Sequence, residues 1–289
     1  MTAPHPKSNA LVLLLSCPDG PGIVHAVSGV LFGHGYTITE SQQYRDARSD
    51  SFFMRVEFTS AGDGNLDALH GDLAQLGETF GMTWRLAATS PPQRSLIMVS
   101  KYGHCLNDLL YRTSVGRLNI EPVAVVSNHP DLGFMADNYD VPFVHIPVTA
   151  DTKKAAEARL LELVSDLRVD LVILARYMQI LSNDLCKQLE GRAINIHHSI
   201  LPSFKGARPY HQAYDRGVKL VGATAHYVTA DLDEGPIIEQ EVARVDHSMG
   251  PEEVTALGRD NECLALARAV KWHSDNRIVL DGPRTVVFR

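Results

Sequence analysis

A short apolar segment in the C-terminal half carries two side chains that can stabilise negative charge on an oxygen atom. Asn195 and His197 stand in residues 193–197, a run predicted to be a strand. Because side chains along a strand alternate between its faces, the amide and the imidazole share one face. Both groups can donate a hydrogen bond to the same oxygen, as a developing oxyanion requires. The spacing therefore predicts an oxyanion-stabilising pair at a strand end.

An acidic turn downstream offers a carboxylate to this pair. Asp231 and Asp233 lie just before the predicted strand 236–245. A carboxylate there could orient the imidazole of His197 or accept a proton from water. Each residue also has an ordinary alternative, because strand-end asparagines often form turns and acidic turns are usually solvated.

The neighbouring histidines raise the question of a metal site, but their spacing argues against one. His197, His198, His211 and His226 fall within one stretch of the chain. Adjacent residues of a strand point to opposite faces, so the first two diverge, and no helical His-x3-His pair is present. We therefore predict no metal, and His198 could equally be a packing histidine with satisfied hydrogen bonds.

The first part of the chain predicts a small unit of strands and helices. Strands are predicted at residues 11–16, 36–45, 51–59 and 82–88, and helices at 23–34 and 66–80. The order β-α-β-β-α-β is that of the ferredoxin-like split βαβ fold. In the third strand, Phe53, Arg55 and Glu57 alternate with apolar neighbours, which predicts one buried face and one wetter face.

After the polar linker 89–93, strands alternate with helices. The predicted strands are 95–100, 121–127, 141–146, 171–175, 193–197, 222–228 and 236–245, and the predicted helices are 104–117, 152–167 and 251–273. This alternation indicates a mostly parallel α/β sandwich with helices on both faces of the sheet. We therefore predict an α/β protein of two domains, residues 1–90 and 91–289.

Composition excludes several classes of protein. The 289 residues carry 27 Lys and Arg against 34 Asp and Glu, a net charge of −7, which disfavours binding to nucleic acid or to an anionic membrane. The cysteines include no CxxC pair, which argues against a disulfide framework or a zinc finger. No apolar run is long enough for a signal peptide or a membrane-spanning helix. We therefore predict a soluble cytoplasmic protein.

Three spaced motifs resemble the formyltransferase fold of folate enzymes. They are Asn195-x-His197, the Leu-Pro-Ser-Phe-x-Gly run at 201–206, and the Asp-x-Gly-Pro-Ile-Ile run at 233–238. The family includes glycinamide ribonucleotide transformylase and methionyl-tRNA formyltransferase. The resemblance implies that Asn195, His197 and Asp233 form the catalytic triad of this family.

Residues 206–214 and 222–227 are similar to the formyltetrahydrofolate deformylase subgroup in particular. Transformylases of glycinamide ribonucleotide carry a Gly-rich phosphate loop after the first strand of the domain, whereas residues 100–108 hold one glycine here. The resemblance therefore implies that water attacks the formyl carbon of 10-formyltetrahydrofolate, giving tetrahydrofolate and formate. The amide and imidazole of the triad would stabilise the oxyanion, and its carboxylate would orient the imidazole. No cofactor is required.

The same resemblance implies a folate pocket beside the triad. Apolar walls with a few polar groups are usual for a small-molecule site. A plain core or loop role for the apolar residues is the competing interpretation. The residues that the resemblance assigns to folate are Arg176, Met178, Gln179, Ile180, Leu181, Thr229 and Asp231.

The run Cys-Pro-Asp-x-Pro-Gly-Ile-Val at 17–24 resembles the ACT domain, a regulatory fold that binds amino acids and often pairs between subunits. It implies an effector, methionine or glycine, near Asp19, Gly22 and Ile23 in a homodimer or homotetramer. The alternative is an ordinary strand–turn–helix connection. Three other functions stay open: transformylation of another acceptor, ligand-binding regulation without catalysis and, against the charge, nucleic-acid binding.

Overall fold

The computed structural model describes residues 10–60, 65–202 and 209–289. The described chain divides into two compact units. Unit 1 comprises the chain up to Pro91 with Asp275–Asp281 and Val286–Arg289, and unit 2 comprises Pro92–Ser274 with Gly282–Thr285. The sequence interpretation placed every residue after 90 in the second domain, whereas the last residues of the chain belong to unit 1.

Unit 1 contains a four-stranded sheet with two helices. Its elements are β1 (Leu11–Pro18), α1 (Ile23–Gly33), β2 (Tyr36–Asp46), β3 (Ser51–Ser60), α2 (Leu66–Phe80) and β4 (Thr83–Ala88). The strands lie in the order β2-β3-β1-β4, and each neighbouring pair is antiparallel. The predicted β-α-β-β-α-β fold is confirmed.

Local signals in the sequence set the limits of α2. The Asn65 side chain accepts a hydrogen bond from the Ala68 amide at 3.1 Å, which caps the first turn. Gly81 ends the helix with a φ of 63°, a left-handed conformation that glycine adopts without strain. Between these limits, Leu69 and Leu73 are buried and pack against the apolar face of the sheet.

The second face of this sheet is buried as well, so the wetter face expected for β3 is wrong. Phe53 packs with Phe288 near the C-terminus. Arg55 is 1% exposed, and its guanidinium donates to the carbonyls of Asp275 and Asn276. The alternation along β3 was correct, but C-terminal residues of unit 1 cover the face that the sequence left to solvent.

Unit 2 contains a mixed sheet with helices between its strands. Its elements are β5 (Gln93–Val99), α3 (His104–Ser114), β6 (Ile120–Ser127), α4 (Gly133–Asp137), β7 (Phe143–His145), α5 (Lys153–Asp166), β8 (Leu171–Leu174), α6 (Asn183–Gln188), β9 (Ala193–His197), α7 (Pro209–Asp215), β10 (Leu220–Tyr227), β11 (Ile237–Arg244) and α8 (Pro251–Ser274). Within the described residues the strand order is β11-β10-β9-β8-β5-β6-β7.

The strands from β9 to β7 run parallel, whereas β10 and β11 add antiparallel pairs at one edge. The predicted mostly parallel α/β fold is confirmed. The short helices α4, α6 and α7 lie where the sequence predicted no helix.

Two short strands close the chain. β12 (Ile278–Asp281) and β13 (Arg284–Val287) form a two-stranded sheet that the sequence did not predict. None of the helices in the described part of the chain is long and apolar enough to cross a membrane.

Parallel pairing brings the carboxyl ends of β5, β8 and β9 to one edge of the unit 2 sheet. β8 is buried along its whole length, as expected for a strand covered on both faces. Ser100, Arg176 and His198 follow shortly after these strands. The carboxyl edge of an open α/β sheet is the usual position of a ligand site.

Candidate active site

β9 and β10 place an asparagine and a histidine side by side. β10 pairs antiparallel with β9 so that His226 lies opposite Asn195. Asn195 Nδ2 lies 3.2 Å from His226 Nε2, and His226 Nδ1 lies 2.9 Å from the Tyr227 carbonyl oxygen, which accepts. Because an amide nitrogen carries two hydrogens, Asn195 retains a second donor for another oxygen.

Asp233 approaches both histidines from the loop between β10 and β11. Its Oδ1 lies 3.3 Å from Nδ1 of His197 and 3.7 Å from Nε2 of His226. The contacts with His197 first, and then with His226, hold the pKa of Asp233 well below its usual range, so the carboxylate is ionised at pH 7. The loop comes close to β10 at Gly235, where a side chain would overlap the Tyr227 carbonyl.

His197 is left with one free ring nitrogen. Its Nδ1 faces Asp233, while Nε2 is buried and has no hydrogen-bond partner among the described residues. A buried polar atom without a partner is costly and calls for a ligand or a water molecule. The ring of His198 stacks on that of His197 at a centroid distance of 5.2 Å, so the predicted divergence of the two side chains is wrong, because β9 ends at His197. Burial first, and the charge of Arg176 second, lower the pKa of His198 to about 4, so this ring is uncharged at pH 7.

These groups open onto a cavity of about 580 Å³. One part of its lining is apolar, and Leu174, Leu181 and Val228 there belong to a single packed cluster. The other part is polar. Its residues are Tyr102, His104, Arg176, Tyr210 and Glu262.

The cavity brings together every residue that the sequence assigned to catalysis or to folate. They are Asn195, His197, Asp233, Arg176, Met178, Gln179, Ile180, Leu181, Thr229 and Asp231. Met178 is 52% exposed and Ile180 is 62% exposed, which is inconsistent with a plain core role for these side chains.

Hydrogen bonds from the end of β5 position the loop that follows β8. Ser100 Oγ accepts from the Met178 amide at 2.9 Å, and the Ser100 amide donates to the Arg176 carbonyl at 3.3 Å. Arg176 has a φ of 66° and Asp233 a φ of 58°. Left-handed values are uncommon outside glycine and cluster at functional sites. Two loops that border the cavity thus hold a strained residue each.

Glu262 on α8 organises the polar part of the cavity. Its carboxylate accepts from Tyr210 Oη at 2.7 Å and from His104 Nε2 at 2.6 Å, and Arg176 Nε lies 3.3 Å away. Burial alone would raise the pKa of Glu262, but the hydrogen bond from His104 and the charge of Arg176 bring it below its ordinary value. The carboxylate is therefore ionised although it is 1% exposed.

The same cluster has donor atoms of the kind that hold metal ions, but its charges oppose a cation. The ligand atoms of His104, Cys105 and Glu262 lie within 4.8 Å of one another. The guanidinium of Arg176 already faces the carboxylate. A hydrogen bond with Cys263, and then burial, raise the pKa of the Cys105 thiol well above its usual value, which disfavours the thiolate that binds metals.

Comparison with known proteins places the chain in a family. The family model described as formyl transferase matches residues 93–270. The formyltetrahydrofolate deformylase of Corynebacterium sp. (strain P-1) is 54% identical over 281 residues, which cover 96% of this chain and 98% of the relative. The crystal structure of formyltetrahydrofolate deformylase from Burkholderia mallei matches with a TM-score of 0.92 and 51% identity, over 97% of this chain and 100% of that chain. The chain belongs to the formyltetrahydrofolate deformylases.

Membership of the deformylases confirms the predicted fold class and the predicted enzyme class, a hydrolase. A glycinamide ribonucleotide transformylase structure from Symbiobacterium toebii is more distant. It has a TM-score of 0.64 and 30% identity and covers 68% of this chain and 95% of that chain. The deformylase matches thus include the N-terminal part of the chain, which lies outside the formyl transferase match.

Several residues of the deformylase cavity were not assigned to it from the sequence. They are His104, Tyr210, His226 and Glu262. The alternation of Thr224 and His226 along β10 signals a shared face. However, the position of His226 opposite Asn195 depends on strand register, which the sequence does not state. The motif residues 203–206 lie outside the described residues.

The residues predicted to bind an amino-acid effector have local partners in unit 1. The Asp19 carboxylate lies 2.6 Å from Arg45 Nε. Gly22 adopts a φ of 91° at the start of α1. Ile23 is 2% exposed and packs in the core with Val27, so its side chain is not available to a ligand.

Proposed function

We propose that the cavity of unit 2 binds 10-formyltetrahydrofolate and hydrolyses it to tetrahydrofolate and formate. The observation that carries the proposal is the state of His197. Its Nδ1 contacts an ionised Asp233, and its Nε2 is buried without a partner on the wall of the cavity. A substrate oxygen at Nε2 would satisfy this atom.

In the proposed reaction, a water molecule beside Asp233 and His197 attacks the formyl carbon. Negative charge develops on the formyl oxygen, where His197 Nε2 and the second amide hydrogen of Asn195 stabilise it. The Asp233 carboxylate orients the imidazole and stabilises positive charge on it. The carbon–nitrogen bond then breaks as the folate nitrogen takes the proton that the attacking water gives up. The water oxygen remains in formic acid, which ionises to formate.

The folate ring is proposed to occupy the apolar part of the cavity. Met178, Ile180 and Leu181 supply its walls, since the first two are exposed and the third packs beside the cavity. Gln179, Thr229 and Asp231 add polar groups to the same lining. Apolar walls with a few directed polar groups are usual for ligands of this size.

Water is the proposed acceptor because the described residues of the polar part of the cavity include no Gly-rich phosphate loop. Residues 100–108 hold a single glycine, Gly103. A Cβ there would meet the flexible end of the Met135 side chain. The test is formate release from 10-formyltetrahydrofolate without any amine acceptor, and a strict requirement for an acceptor would favour a transformylase.

The catalytic assignment is tested with Asn195→Ala and Asp233→Asn. Loss of one oxyanion donor or of its orienting group lowers kcat by about 10²- to 10³-fold. Asn107→Ala and Asp151→Asn are matched controls on the exposed surface. A folded Asn195→Ala or Asp233→Asn variant with a kcat near that of the wild type would contradict the assignment.

We also propose that unit 1 binds methionine or glycine near Asp19, Gly22 and Ile23, in a homodimer or homotetramer. The 11-residue α1 begins without a side-chain cap, so its first amides can receive a carboxylate. Asp19, which is paired with Arg45, could accept the ammonium group. Calorimetric titration of both amino acids into wild type and Asp19→Asn, with sedimentation to count subunits, decides this. Absence of binding would leave unit 1 a structural element.

A further inference from the structure

The guanidinium of Arg176 is buried with unused hydrogen-bond donors. The side chain is 9% exposed. Its Nε and Nη1 atoms have no hydrogen-bond acceptor among the described residues. Glu262 lies 3.3 Å from Nε and balances the charge, but it does not accept a hydrogen bond from it. Buried donors of a cation are seldom left without acceptors, so this position calls for an acceptor from outside the chain.

The neighbours of Arg176 fix the position of its guanidinium but do not accept hydrogen bonds from its free donors. Glu262 is already the acceptor of Tyr210 and His104. The guanidinium carbon lies 5.8 Å from the centre of the Tyr102 ring, which is within cation–π distance. These contacts fix the guanidinium within the cavity lining without accepting a hydrogen bond from Nε or Nη1.

The reacting groups lie near the same arginine. Arg176, His197 and His198 line the same cavity, and the His198 ring stacks on His197 at 5.2 Å. A ligand held by Arg176 would therefore occupy the cavity in which the proposed reaction takes place.

We propose that Arg176 binds the formate produced by the reaction. This inference rests on the proposed function, since hydrolysis supplies a planar carboxylate in this cavity. Nε and Nη1 of Arg176 can each donate a charge-assisted hydrogen bond, and a carboxylate oxygen is the strong acceptor that such a donor requires. The exposed Arg259, 5.3 Å from the centre of the same Tyr102 ring, lies towards solvent and attracts the leaving anion.

The experiment measures binding of ¹³C-formate to the full-length protein without folate, from the broadening of the formate NMR signal. The wild type is expected to show saturable broadening. Arg176→Lys keeps a charge beside Glu262 but loses the Nε and Nη1 donors, so formate affinity falls about tenfold. Arg259→Gln lowers it about two- to threefold. The matched control Arg159→Gln, an exposed arginine on α5 paired with Glu162, binds as the wild type does.

A second variant tests Arg176 through its partner. Glu262→Gln removes the negative charge that competes for the guanidinium, so formate affinity rises about threefold. If Arg176→Lys does not fold, the formate affinity of Glu262→Gln tests whether Arg176 binds formate. The proposal is overturned if wild-type broadening is absent, if folded Arg176→Lys binds formate as tightly as the wild type, or if Glu262→Gln leaves binding unchanged or weaker.

The two proposals fail separately. A wild-type enzyme that releases formate from 10-formyltetrahydrofolate but does not bind added formate overturns only the formate site. A wild-type protein that releases no formate overturns the proposed function, whatever it binds. Product inhibition gives an independent reading, because the inhibition constant of formate must rise about tenfold in Arg176→Lys.

Discussion

Two buried arginines, one in each unit, have opposite surroundings. Arg55 in β3 is 1% exposed, and all its nitrogens donate: Nη1 to Glu40 at 2.6 Å, Nη2 to Glu57 at 2.8 Å, and Nε to the Asn276 carbonyl at 3.0 Å. Arg176 in unit 2 has one carboxylate partner, and two of its nitrogens have no acceptor among the described residues. Burial of a charge alone therefore does not indicate a ligand site, and the proposal for Arg176 rests on its unused donors.

The carboxylates that face these arginines differ as well. The side chains of Glu40 and Glu57 are 32% and 29% exposed, so water can replace a lost partner. The Glu262 side chain is 1% exposed, so its partners within the protein must supply every hydrogen bond. The cluster of unit 1, Arg55 with Glu40 and Glu57, thus has acceptors for all its donors and carboxylates that contact solvent, so we call it the wet cluster. The cluster of unit 2, Arg176 with Glu262, is buried and has unused donors, so we call it the dry cluster.

The largest expected effect comes from removing the wet cluster. Arg55→Met breaks four hydrogen bonds and should lower the free energy of local unfolding of β3 by about 3 kcal/mol. Arg176→Met removes the cation that faces the buried Glu262 carboxylate but breaks no hydrogen bond to a described residue, and it should lower the free energy of local unfolding of β8 by about 1 kcal/mol. Hydrogen exchange of the amides of each strand gives both values. If the free energies of local unfolding of the two strands fall equally, the two arginines do not differ in their contribution to stability.

The second effect is a pH dependence caused by His198. Its pKa is about 4 in the fold against the usual 6.5, chiefly through burial and then Arg176. Between these values the unfolded chain binds more protons, so this contribution to stability is complete above about pH 6.5. It is lost as the pH falls towards 4, by up to about 3 kcal/mol before losses to solvent screening.

Urea unfolding between pH 4 and 7 measures this slope. It should be smaller in His198→Gln. It should also be smaller in Arg176→Met, because the charge of the guanidinium no longer opposes a charge on the imidazole. If the slope in both variants equals that of the wild type, neither the protonation of His198 nor the charge of Arg176 causes the pH dependence of stability.

Regular patterns in the sequence predicted most of the fold. Helix α2 begins and ends at the predicted residues because its leucine spacing, the Asn65 cap and Gly81 agree with one another. β9 was predicted with its observed limits, 193–197, because it is a compact apolar run. Where local signals agree, the limits of an element follow from the sequence.

Contacts between distant segments could not be predicted in this way. Arg55 follows the alternation of β3, but the C-terminal residues that bury it are far away in the chain, and β12 is too short to show a pattern. Likewise, Glu262 lies within a long amphipathic helix, and only the fold reveals that His104 and Tyr210 meet it there. The residues proposed for catalysis and folate binding were assigned from their motifs, which local patterns alone would not have distinguished from turns.

The smallest expected effect tests whether the dry cluster tolerates a missing donor. Tyr210→Phe removes the 2.7 Å hydrogen bond to Glu262, and a bond to a buried charge contributes about 1.5 kcal/mol to stability. Tyr111→Phe, at an α3 side chain that is 56% exposed, is the matched control and should change little. Urea unfolding at pH 7 measures both. If Tyr210→Phe is as stable as the control, water reaches Glu262, and the distinction between a wet and a dry cluster fails.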